Sequence, residues 1–139
     1  MTPEQIALVQ DSFQRVAVHP DALAADFYER LFTADPSARA LFTTDMGVQR
    51  IKFMRELEEI IRTIGNFDVF LAQLEDLGAR HAGYGVRPIH YRTFADCLLA
   101  ALAAAEGDRW SPQLEAAWSS AHDLVAEAMI IGASDAARG

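Results

Sequence analysis

At 139 residues the chain has the length of a single domain with a real core, and 51% apolar residues rule out a disordered segment. A net charge of −8, from 12 Lys and Arg against 20 Asp and Glu, argues against nucleic acid, whose phosphates demand a basic surface. The longest apolar runs, such as "CLLAALAAA" at 97–105, are too short to span a bilayer, and "MTPEQIALVQ" lacks the succession of a signal peptide.

Strand-type alternation is missing, so the apolar positions are read at a period of 3.6. Thr2, Pro3 and Gln5 mark a helix start: a capping hydroxyl, a proline in the first turn and a capping-box partner. That helix turns Ile6, Val9, Phe13 and Val16 to one face. A second restarts at Pro20 with Leu23, Phe27, Leu31 and Phe32 inward, and Pro36 opens a short helix ending near Phe42. After a "TTDMG" loop, a helix over 47–64 carries Phe53, Leu57, Ile60, Ile61 and Ile64 on one face, and "GNFD" breaks it. "VFLAQLEDLGARH" gives the next helix, which ends among glycines.

Pro88 begins a further helix through about Ala105. It holds Cys97, a small hydrophobe whose solitude permits no internal disulfide and suits a reducing, cytoplasmic setting. "EGDRW" is the following loop. Ser111 and Pro112 then cap and start a last helix with Leu114, Trp118, Leu124, Val125 and Met129, and the tail over 132–139 is expected to fray. No repeat or linker divides the chain, so residues 1–139 form one all-α domain.

Four histidines are candidates for chemistry. His19 sits in a loop before Pro20, while His90 and His122 lie on helices with no metal-ligand companion at three or four residues. The Glu-x-x-His pairs of a di-iron bundle and the His-Glu-x-x-His and paired-Cys motifs are absent. The acids of "RELEE" (55–59) flank an apolar face and read as solvated. His81 differs by its setting. It ends a helix among Gly78, Gly83 and Gly85, which remove bulk and would let a flat ligand approach. The carbonyl of Leu77 can accept from one of its ring nitrogens and leave the other for a metal.

Further landmarks stand in register with it. "FYERLF" supplies Tyr28, "DPSARALF" supplies Pro36 and Phe42, "VQRIKF" puts Gln49 and Phe53 one turn apart, "RHAGYGVRPIHY" contains His81 and Tyr91, and "LEAAWSSAHDLVAEAM" carries Trp118. Together these make the chain resemble bacterial single-domain globins and the globin part of flavohaemoglobins over nearly its whole length.

That resemblance implies a three-over-three helical sandwich around haem b. His81 would be the axial iron ligand, oriented by Leu77, with the opposite position open. Tyr28 and Gln49 would donate to bound dioxygen beside Phe53, and Phe42, Val86, Tyr91, Phe94, Leu98 and Val125 would wall the porphyrin. Lys52, Arg50 and Arg80 are candidates for a propionate. In the resembled family, a tyrosine at the place of Tyr91 and a glutamate near the end of the last helix bond around the proximal histidine. Here Ala133 or Ser134 falls at the glutamate's place, Asp135 is the only nearby acid, and Glu127 lies about two turns early.

The activity so implied is reversible binding of dioxygen, nitric oxide and carbon monoxide, extending to conversion of nitric oxide to nitrate. No flavin or nicotinamide domain is expected in these residues, so an external reductase would be needed. A haem-based gas or redox sensor signalling to a partner protein is the alternative, and the oligomeric state is left open.

Overall fold

Each of the five prolines opens a helical segment, where a missing N–H costs nothing and a fixed φ fits. The structure, a computed structural model, describes residues 1–138. Among these residues run six α-helices: α1 (Pro3–Val16), α2 (Pro20–Ala34), α3 (Met46–Thr63), α4 (Phe67–Gly83), α5 (Pro88–Glu106) and α6 (Pro112–Arg138). Short 3-10 turns cover Pro36–Leu41 and Gly107–Arg109.

The capping signals act as the sequence suggests. Thr2 Oγ1 accepts the Gln5 N–H at 3.1 Å and Gln5 Oε1 accepts the Thr2 N–H at 3.1 Å, closing the capping box of α1. α3 starts at Met46, one residue before the expected position, because the Asp45 carboxylate accepts the Val48 N–H at 3.1 Å. α4 begins at Phe67, within the "GNFD" stretch read as a break, and Asp68 in its first turn faces the positive end of the helix dipole.

The tail departs from expectation. α6 continues through Arg138 instead of fraying from 132. Gly132 is buried against the backbone of Glu75 on α4, and Arg138 donates to Asp135 at 2.7 Å, so the last turns have partners. Gly139 lies outside the described residues.

The helices form two layers of three, α1, α3 and α4 over α2, α5 and α6. The deepest packing is of α4 on α6 and α2 on α5. Val9, Leu31, Leu114 and Trp118 fill the core, as their spacing predicts, together with Leu74 and Leu102, while Ile6, Phe32, Phe53, Leu124 and Val125 stand half-buried at its edge. One buried polar chain links α1, α5 and α6. Trp118 Nε1 donates to Ser12 Oγ at 3.0 Å, and Ser12 Oγ donates to Glu106 Oε2 at 2.9 Å. Arg15 Nε reaches the same carboxylate at 3.0 Å and holds the Glu106 carboxyl below the usual carboxylate range. No helix among the described residues is long and apolar enough to cross a membrane.

Candidate functional site

Between α2, α3, α4 and the start of α5 lies a cavity of about 250 Å³, lined also by the segment 41–44. Its walls are mostly apolar, with Phe27, Leu31, Phe42, Phe53, Val86 and Phe94 among them. Two polar assemblies face into it.

The first centres on Tyr28. Its ring is 5% exposed and fixed edge-on against Phe27, Phe42 and Phe53, with centroids 5.0, 5.2 and 5.6 Å away. Phe27 and Phe53 stack on one another at 4.7 Å, so α2 and α3 hold the tyrosine between them. Gln49 Nε2 donates to the Tyr28 hydroxyl at 3.0 Å, and Thr44 Oγ1 lies 3.5 Å from Gln49 Oε1. The phenol oxygen is therefore an acceptor in this chain, and its own hydrogen is left to donate into the cavity. Burial pushes the Tyr28 hydroxyl up to about 12, so it stays protonated at neutral pH.

The second is His81 in the last turn of α4. Its Nδ1 lies 2.9 Å from the Leu77 carbonyl, the contact expected from their four-residue spacing. Nδ1–H donates there, and Nε2 carries the free lone pair. Burial lowers the pKa of the ring, which favours the neutral imidazole that a metal requires. The carbonyl of His81 accepts the N–H groups of Tyr84 at 3.0 Å and Val86 at 3.1 Å, folding the α4–α5 loop back over the helix end. Gly85 sits in this loop at φ +93°, a conformation glycine adopts without strain.

The neighbouring glycines serve other ends than the sequence suggests. Gly78 faces α6 rather than the cavity, and Gly83 borders open space.

The remaining expected residues divide. Phe42, Phe53, Val86 and Phe94 line the cavity together with Tyr28, Gln49 and His81. Leu98 and Val125 do not. They line a separate apolar cavity of about 60 Å³ with Leu57, Ile60 and Trp118, because one more helical turn carries Leu98 beyond Phe94 toward α6. Tyr91 is buried with its ring 6.5 Å from that of Phe94, and its hydroxyl makes no hydrogen bond among the described residues. Asp135 is turned to Arg138 and Glu127 is exposed, and among the described residues the Leu77 carbonyl is the one hydrogen-bond partner of the His81 ring.

Of the three basic candidates, Lys52 alone lines the cavity, its Nζ 5.4 Å over the Tyr84 ring. Arg50 pairs with Asp21 at 2.8 Å, and Arg80 with Asp76 at 3.2 Å and Glu56 at 3.7 Å. The cavity is also lined by residues outside the expected set, among them Leu31, Glu56 and Tyr84. Leu31 and Glu56 each stand one helical turn beyond an expected lining residue, Tyr28 and Phe53, and that spacing could have found them.

No group of three His, Cys, Asp or Glu side chains able to hold a metal occurs among the described residues. One imidazole nitrogen in an apolar cavity with a cation at its rim instead suits a metal that brings its own planar ligand with anionic substituents. The other histidines are placed differently: His19 is exposed, His90 accepts the Arg87 N–H through Nδ1 at 2.8 Å, and His122 borders the smaller cavity.

A family model described as Globin matches residues 25–129. The chain belongs to the globin family. This globin is 29% identical over 131 residues to an anaerobic nitrite reductase of Oryza sativa subsp. indica, with 90% of each chain covered. It is 27% identical over 133 residues to a flavohaemoprotein of Rhodopirellula baltica, covering 94% of this chain and 33% of that one. The globin thus spans about a third of that flavohaemoprotein. Its fold matches that of an engineered carbene transferase from Rhodothermus marinus with a TM-score of 0.87 and 26% identity, over 99% and 96% of the two chains. A haem-binding globin is the coarse identity on which these matches agree.

Proposed function

We propose that this globin holds haem b through Nε2 of His81 and reversibly binds dioxygen, nitric oxide and carbon monoxide. We further infer that it converts nitric oxide to nitrate when an external reductase supplies electrons. The observation that carries the reading is the convergence of the Tyr28 hydroxyl and the His81 imidazole on one apolar cavity.

Ferrous haem supplies a metal that binds diatomic gases and the single electron by which dioxygen and nitric oxide become nitrate, leaving ferric haem. The residues of the chain do the rest. Phe27, Phe42, Phe53 and Phe94 make the walls mostly apolar, which strengthens a hydrogen bond made against them. Tyr28 holds its proton toward the ligand, and Gln49 orients the hydroxyl and polarises it further. Leu77 keeps the His81 ring turned with Nε2 free, and burial favours the neutral ring. Lys52, the one basic candidate on the cavity lining, would pair with a propionate.

The partner of His81 is a neutral carbonyl, so the ring keeps imidazole character and pushes less electron density than one bonded to a carboxylate. This favours ligand holding, with dioxygenation slower than a carboxylate-backed histidine would give. The flavohaemoprotein relatives and the Rhodothermus protein, whose parent is named for nitric oxide dioxygenation, support the chemistry. Mixing the oxygenated protein with nitric oxide tests it, with one nitrate and one ferric haem expected per haem. A Soret band that haem addition cannot produce would overturn the whole reading, whereas a band without nitrate would remove only the dioxygenation.

A further inference from the structure

α4 and α6 meet at two glycines, and the meeting is of backbone on backbone. A Cβ at Gly78 would overlap the Cα, C and O of Met129, and a Cβ at Gly132 would overlap the Cα, C and O of Glu75. Both glycines are buried, and both have helical neighbours that are core residues, Leu77 at 4% and Met129 at 5% exposure. Glu75 faces Gly132 while Gly78 faces Met129, so the two contacts run in opposite senses along antiparallel helices. Packed helices with ordinary side chains at the contact keep their axes roughly 8–10 Å apart. Glycine on each side removes the side-chain layer that sets that spacing.

The contact adjoins the chemistry. Leu77, whose carbonyl takes the Nδ1–H of His81, immediately precedes Gly78, and His81 follows one turn later. Tyr28 and Gln49 belong to α2 and α3, which have no part in this crossing. Sliding or lifting α4 on α6 would therefore move Leu77 and His81 together, relative to a distal pair that stays still. Side chains cannot absorb such a shift, because the atoms that would be struck are main-chain atoms.

We propose that Gly78 and Gly132 are positioning residues for His81: they let α4 and α6 meet backbone to backbone, and that contact fixes where the free Nε2 of His81 stands in the cavity. The inference rests on His81 being the iron ligand.

Resonance Raman spectra of the ferrous haem-loaded protein test it, through the iron–histidine stretching band, together with haem affinity. Gly78→Ala and Gly132→Ala should each move the band and weaken haem binding by roughly 10–100-fold, the range for lost support of a metal ligand. Gly83→Ala is the internal control, since a Cβ there meets nothing although it lies nearer to His81 in the chain. It should leave both readouts unchanged. Leu74→Ala, in the core of the same helix, should lower Tm and leave the band in place. A wild-type band in both glycine variants, or an equal band shift in Leu74→Ala, would reduce the glycines to ordinary packing and overturn the proposal.

Should neither alanine variant fold, Met129→Ala decides, because it thins the side chain beside the crossing and leaves the backbone contact. An unmoved band supports the backbone seat, and a moved one overturns it. Absence of any iron–histidine band in the wild-type protein would instead defeat the assignment of His81 itself.

Discussion

Gln49 donates its side-chain amide to the Tyr28 hydroxyl at 3.0 Å, so the phenol oxygen accepts and its own hydrogen is free to donate. The pair behaves as one donor with two parts. On the proposed role of Tyr28, its replacement by Phe removes a hydrogen bond to the bound gas, worth about 1.4 kcal/mol or more when the acceptor is partly charged. Dioxygen dissociation, followed after stopped-flow mixing with carbon monoxide, should accelerate on the order of tenfold. Gln49→Leu should give a smaller acceleration, and the double variant should fall short of the product of the two. Independent effects would mean that Gln49 touches the ligand by itself.

Burial raises the Tyr28 hydroxyl to about 12, against about 10 for an ordinary phenol. The donor should thus survive at alkaline pH. Dioxygen dissociation should be flat from neutral pH to about 10, and a phenolate absorbance titration should show one late step missing from Tyr28→Phe. A rate that climbs with an ordinary phenol's titration would place the hydroxyl in contact with water.

His81→Gly removes the imidazole without adding bulk at the end of α4. Haem affinity should fall by at least tenfold, and added imidazole should restore the spectrum by filling the vacated volume. Retention of an unchanged ferrous spectrum in the variant would transfer the ligand role to another residue.

The chain Trp118–Ser12–Glu106–Arg15 makes a prediction about acid. Its pKa being depressed, Glu106 contributes stability that is complete above the ordinary carboxylate range and lost as pH falls through its lower folded value. Glu106→Gln should cost about 1–3 kcal/mol at neutral pH, the range for a charged hydrogen bond. Urea melts of the two proteins should converge as pH drops below about 4.5, the ordinary carboxylate value, and a constant gap would show that shape rather than charge is responsible.

Much of this fold could be read from local signals. Five prolines, a threonine–glutamine box and apolar residues every three or four positions place helix starts and inward faces, since each acts within one turn. The Leu77–His81 contact was legible for the same reason: four residues on a helix bring a carbonyl and a ring together. The meeting of Tyr28, Gln49 and His81 came from resemblance, not periodicity, because a period names a face and never the neighbour it meets. Leu98 and Val125 show this limit. Both point inward as expected, yet into a different cavity from Phe94. Gly78 shows another. Three glycines near one histidine suggest room for a ligand, whereas one is a helix crossing, one a loop conformation and one faces solvent. Only the path of α6 tells them apart.

That path also has a temporal side. During synthesis Gly78 and His81 leave the ribosome well before Gly132, so the support beneath the histidine cannot form until most of α6 has emerged. A nascent chain presenting His81 earlier offers a ligand on an unanchored helix. On the proposed role of Gly132, cofactor capture with native affinity is a late, post-assembly event, and a fragment cut before Gly132 should bind haem more weakly.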